Sequence, residues 1–316
     1  MERGWANLSA GVLKPTKLAL FSAYFLVYII WGSTYLAIRF SVETIPPILS
    51  GGIRFTSAGI ILMCFRMLKF GDKTTINGWK CAVKASVLPF VISYGLLTVA
   101  ETMVPSSVAG LLVALEPLWF CLIGWIFFKG SKPAWNNYLG ILSGFLGVYF
   151  LISEGSCINV PDASSHYTAG LFLVISSSLA WVFGAFISSN PDIHKNSFMS
   201  SGMQMFSGGC MMLLLQTIIS AVTDKYAVCD AFSLRSLLAL GYLVIFGSVI
   251  AYTSFMWLMR VEPASRVSTH AFVNPVVAVA LGWLIGGESL HKNIFISMPL
   301  IISSVLLMLW RPKNRR

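Results

Sequence analysis

Residues 105–128 read PSSVAGLLVALEPLWFCLIGWIFF, with Glu116 as their one charged side chain. A helix rising about 1.5 Å per residue carries such a run across a bilayer core about 30 Å thick. Nine other apolar runs surround it, at 18–40, 46–68, 82–101, 135–153, 168–188, 198–221, 236–258, 265–286 and 293–310. Short connectors join them, apart from Lys69–Lys80 and polar loops near Asp162 and Asp230, and no segment is left over for a soluble domain. The chain therefore reads as an all-α integral membrane protein of ten transmembrane helices.

Composition agrees with that reading. Hydrophobic residues make up 56% of the 316 and charged residues only 11%, against about 25% charged in soluble domains. Lipid is the natural solvent for such a surface. The net charge of +10 does not indicate a nucleic-acid partner. Lys and Arg fall in short clusters between apolar runs, and zinc-finger spacing, a basic helix and an aromatic-basic platform are all absent. The first run continues from Leu18 to Phe40 with no small-residue cleavage site, so it reads as an uncleaved span. The six Cys match no metal or haem spacing, and no metal or cofactor is expected.

Loop charge sets the orientation. With a cytoplasmic N-terminus, seventeen of the 22 Lys and Arg lie in inner segments and four, Arg39, Lys225, Arg235 and Lys292, in outer ones. Arg54 lies within a span. Both termini are expected in the cytoplasm.

The run at 105–128 also has a second copy. At an offset of 158, Pro105 falls on Pro263, Pro117 on Pro275, Gly124-Trp125 on Gly282-Trp283 and Tyr94 on Tyr252; Glu116-Pro117 meets Asn274-Pro275. At an offset of 150, Trp31 falls on Trp181, Gly52 on Gly202, Arg54 on Gln204 and Gly59 on Gly209. Two five-helix units follow, 18–153 and 168–310. Because five is odd, the second must enter the membrane from the opposite side, which is the inverted-repeat design of many secondary transporters.

Several stretches resemble a known family. Tyr28-Ile-Ile-Trp31-Gly32-Ser33-Thr34-Tyr35, Val99-Ala100-Glu101 before Pro105, Gly241-Tyr242 with Phe246-Gly247-Ser248, Val273-Asn274-Pro275-Val276 and Gly286-Gly287-Glu288-Ser289-Leu290 are similar to segments of bacterial EamA-domain proteins of the drug/metabolite transporter superfamily. The resemblance covers nearly the whole chain. It implies a ten-helix carrier of the inner membrane working by alternating access. The implied substrates are amino acids, their derivatives or S-adenosylmethionine-like cations, moved by proton-coupled export or by exchange for a counter-substrate. In the first repeat, Lys129-Gly130-Ser131-Lys132 stands where the family pattern has a Gly-Glu, so Glu288 has no symmetric partner.

Ionisable residues inside spans are costly and point to a site by default. Glu116 lies near the midplane beside Pro117, whose missing N–H is expected to free a carbonyl, with Trp119 on the same helical face. A carboxylate beside an indole suits an ammonium or sulfonium group; the alternative is a permanent pair with Arg54. Arg54 suits a substrate carboxylate, or else neutralises Glu116 or Glu101. Arg54, Tyr94, Glu101 and Tyr35 form an outer tier, and Gln204, Tyr252 and His270 an inner one. Asn274 shares a face with His270, which reads as a helix contact or a proton relay. Trp31 and Trp181 lie at mid-depth, where they line a cavity or simply pack. Glu101 and Glu288 are candidate gates. Gly140, Gly144 and Gly147 with Ser143 give a small-residue stripe, for contact within the chain or in a homodimer. Cys157 and Cys229 fall in outer loops, where a disulfide is an open alternative.

Other function classes lack their signatures. His-Glu-x-x-His and Gly-x-Ser-x-Gly are absent, which disfavours an embedded enzyme, and a nucleotide-binding Gly-x-x-x-x-Gly-Lys-[Ser/Thr] is absent too. A passive channel or facilitator for small metabolites is the remaining competitor.

Overall fold

A computed structural model describes residues 15–100, 103, 112–130, 132–153, 165–190, 192–223, 232–284 and 293–310. Among them the chain forms ten helices and no strand. These are α1 (Lys17–Ser41), α2 (Pro47–Phe70), α3 (Ile76–Ser86, continuing through Val87–Ser93 and Tyr94–Ala100), α4 (Glu116–Phe127) and α5 (Trp135–Ser153). The second set is α6 (Ser165–Ser188), α7 (Ser197–Thr223), α8 (Leu234–Tyr242, continuing through Leu243–Tyr252 and Thr253–Val261), α9 (His270–Leu284, preceded by the short turn Ala264–Val267) and α10 (Ile294–Leu309). Six of the ten, α1, α2, α3, α6, α7 and α8, contain stretches long and apolar enough to cross a membrane.

Helix ends follow local chemistry. Thr16, Thr75 and Ser233 cap α1, α3 and α8 by accepting from the backbone N–H three residues on, which satisfies a donor that the first turn leaves free. The Thr75 cap explains why α3 begins at Ile76 rather than at the expected 82. Gly71 closes α2 at φ 67°, a left-handed turn that favours glycine.

Two irregularities were not expected. Val87–Ser93 in α3 and Leu243–Tyr252 in α8 are π-helical. Pro89 lies in the first, where it lacks an N–H and needs room against the preceding turn, so widening of the ladder is the natural accommodation. No proline lies in the second. There the carbonyl of Gly247 accepts the Nε1–H of Trp31 at 3.1 Å.

A third departure concerns α4. Ala114 and Leu115 form a turn, and Glu116 is the first residue of a fresh helical segment with Pro117 second. Pro117 thus stands in the first turn of this segment, where its missing N–H costs the segment no hydrogen bond.

Packing recurs between the halves. α1 lies against α8 and α9, and α6 lies against α3 and α4; α2 pairs with α7, and α5 with α10. Glycines permit the two like-with-like pairs. A Cβ on Gly59 would lie 2.5 Å from Phe206 N and 2.7 Å from Gly202 O. On α5, a Cβ on Gly140 would lie 2.6 Å from Met308 Cγ and one on Gly147 2.7 Å from Ile301 Cγ1. Ser143 adds hydrogen bonds to Leu300 O and Ser303. The small-residue stripe is thus covered by α10 of the same chain.

Candidate functional site

Where α1, α2, α3, α4, α6, α8 and α9 converge they enclose a cavity of about 250 Å³. Trp31, Arg54, Tyr94, Glu116, Trp181, Tyr252, His270 and Asn274 all line it. Both π-helical segments contribute to its wall, through Pro89, Phe90 and Ser93 on one side and Gly247, Ser248 and Tyr252 on the other. π-Bulges occur frequently at functional sites, and here each re-aims a stretch of helix at the same space.

Aromatic rings form one end of the cavity. The ring centroid of Trp31 is 5.8 Å from that of Trp181 and 5.0 Å from that of His270, edge to face in both cases. Asn274 Nδ2 approaches His270 Nδ1 at 3.5 Å, a long contact. His270 Nε2 and Asn274 Oδ1 are buried with no hydrogen-bond partner among the described residues. Unsatisfied polar atoms in a cavity wall are costly unless water or a ligand meets them.

The two charges are the central feature. Arg54 is 7% exposed and Glu116 6%. Arg54 donates from Nε to Ser248 Oγ at 2.8 Å, and its guanidinium carbon sits 5.1 Å from the centroid of the Phe55 ring. The absence of a side chain on Gly247 makes room for it, since a Cβ there would lie 2.9 Å from Arg54 Nη2. Among the described residues no ion pair within 4.0 Å joins Arg54 to Glu116. Of the two readings open from sequence, a permanent pair is therefore not the arrangement seen.

Other expected site residues lie elsewhere. Trp119 does not reach the cavity; it packs against the main hydrophobic cluster around Phe120 and Phe255, and the indoles that share the cavity with Glu116 are Trp31 and Trp181. Gln204 is fully buried on α7, where Nε2 donates to Ser188 O and Ser200 Oγ, both at 3.0 Å. Its role in this structure is to tie α7 to α6, not to face the cavity. The side chain of Tyr35, and Glu101, Glu288, Cys157 and Cys229 entirely, lie outside the described residues. Ser248 was not singled out individually, although it belongs to the Phe246-Gly247-Ser248 stretch that carried the resemblance.

The sequence pattern of the EamA-like transporter family matches residues 18–153 and again residues 168–310. The chain is 34% identical over 291 residues to the uncharacterized inner membrane transporter YedA of Escherichia coli K12, covering 92% of this chain and 90% of that one. It is 27% identical to the protein PecM of Dickeya dadantii, covering 86% and 88%. One solved crystal structure shares the fold with a TM-score of 0.75 at 16% identity, covering 93% of this chain and 98% of its own. These relationships make the chain a multi-pass transporter of the bacterial inner membrane.

Proposed function

We propose that this chain, which belongs to the EamA-like transporter family, is a secondary carrier for a small zwitterionic or cationic metabolite. An amino acid or amino-acid derivative is the first choice. The observation that carries this reading is the separated pair of charges, Arg54 and Glu116, in the wall of one mostly apolar cavity. Among the described residues neither has a counter-ion within 4.0 Å, and a buried charge without one costs several kcal/mol, about the scale of a whole domain's stability. Such a cost is offset when a substrate supplies both countercharges. Arg54 suits its carboxylate, while Glu116 with Trp31 and Trp181 suits its ammonium or sulfonium group.

The reading includes ten spans, two inverted repeats and both termini in the cytoplasm. In that topology the central cavity reaches outward past Ile38 and Leu97 and ends inward near Tyr252 and His270. Glu116 also suits exchange of a proton for the substrate cation, because a carboxylate in an apolar site is stable when protonated or when paired. Both proton-coupled export and exchange for a counter-substrate use that property.

Purified protein in proteoliposomes tests the proposal. Labelled amino acids and S-adenosyl compounds should exchange, with uptake accelerated by unlabelled substrate on the far side and altered by an imposed pH gradient. Flux that shows no trans-acceleration would favour a passive facilitator instead.

A further inference from the structure

A second cavity, of about 270 Å³, lies at the opposite ends of α4, α6 and α8. It shares no lining residue with the first. Along each of these helices the lining passes from one cavity to the other within one or two turns. The steps are Glu116 to Phe120 on α4, Trp181 to Phe186 on α6, and Tyr252 to Met259 on α8. Those intervals are about 6–10 Å of helix rise.

Aromatic rings fill the gap. Phe255 is fully buried and faces neither cavity. Its centroid lies 4.9 Å from Trp31, 5.5 Å from Trp181 and 5.4 Å from His270, which wall the first cavity. On its other side Phe120 is 6.4 Å away, and Phe120 is in turn 5.8 Å from Phe186; both wall the second. Gly124 makes the seat for Phe186, since a Cβ there would lie 2.9 Å from its Cζ. The second cavity is not a lipid pocket in character. Asn137, Ser189 and Glu262 line it, and its rim includes the exposed Lys129 and Gly130.

We propose that the second cavity is the inner chamber of the same translocation route, and that Phe255, backed by Phe120, is the layer closing it from the central cavity. A layer with no polar group offers nothing to replace the hydration shell of a charged solute, and hydrophobic constrictions of this kind gate by excluding water. Displacement of these rings would join two chambers that are each already formed. The direction of the route rests on the carrier reading. The test reads sidedness of access rather than transport, so the two fail separately.

In a chain with its six cysteines replaced by serine, single cysteines are placed by Ser178→Cys in the central cavity or Ser189→Cys in the second. Substrate-free vesicles of either orientation are treated with a membrane-impermeant cationic methanethiosulfonate. Ser178→Cys is expected to react faster from the outer face and Ser189→Cys from the inner face, each by at least about tenfold. Adding Phe255→Ala removes the preference at both positions. Phe120→Ala does the same and carries the test if the first variant does not fold. Sidedness retained in a folded Phe255→Ala or Phe120→Ala protein overturns the proposal. So does equal reaction from both faces without either substitution.

Discussion

Thr75 caps α3 by accepting from Gly78 N, and 158 residues later Ser233 caps α8 by accepting from Ser236 N. At that same offset the π-helical segments Val87–Ser93 and Leu243–Tyr252 overlap. The correspondence ends at the charged positions. Arg54 in the first half has Gln204 as its counterpart, and Glu116 has Asn274. Arg54 reaches the cavity and Gln204 is taken up by Ser188 and Ser200. Irregular backbone is thus common to both halves and belongs to the scaffold. Among the described residues, the two charged side chains of the cavity wall, Arg54 and Glu116, both belong to the first half.

The comparison can be broken at its charges first. Glu116→Gln gives the first half a neutral amide like that of Asn274, and counterflow of a cationic or zwitterionic substrate should fall about 100-fold or more. Asn274→Ala in the second half should cost about tenfold, as for loss of an uncharged hydrogen-bonding group. Equal losses in the two variants, measured as initial rates in proteoliposomes, would remove the asymmetry. Arg54→Gln copies Gln204 into the first half and should lower exchange of a carboxylate-bearing substrate about 10- to 100-fold. A substrate lacking that carboxylate should be spared, and indifference to its presence would show that Arg54 is structural.

The shared scaffold gives smaller effects. Gly59→Val drives a side chain into the α2–α7 contact and should cost about 1–3 kcal/mol, read as a lower melting temperature in detergent. Asp72 in the α2–α3 connector gives the smallest effect. The hydrogen bond from Arg66, at 2.8 Å, holds its carboxyl below the usual carboxylate range. Its contribution is therefore present above the unfolded carboxylate pKa and lost as pH falls through the depressed folded value. Asp72→Asn should lower the melting temperature slightly at neutral pH, and the two proteins should converge in strong acid.

Much of this was legible before any coordinates. Apolar runs located the helices because lipid demands long uninterrupted apolar segments. Eight singled-out residues, Glu116 and Arg54 among them, meet at the cavity because charge and mid-span tryptophan are rare inside spans. The π-helical segments were not legible. A widened ladder depends on neighbouring helices, and Leu243–Tyr252 contains no proline to signal it. Phe255 was invisible for a different reason. It is one of 22 phenylalanines, and only its position between two cavities distinguishes it. Trp119 misled because spacing along α4 says which residues share a face, not which neighbour that face meets.

The indoles of Trp31 and Trp181 have a consequence beyond recognition. With centroids 5.8 Å apart at an interplanar angle of 66°, they are two chromophores close enough for their ultraviolet transitions to couple. That coupling depends on the angle between the rings, and both rings line the space a substrate would enter. A ligand that turned either ring would change that coupling, and difference near-ultraviolet circular dichroism between the chain and its Trp181→Phe variant would read it without a label.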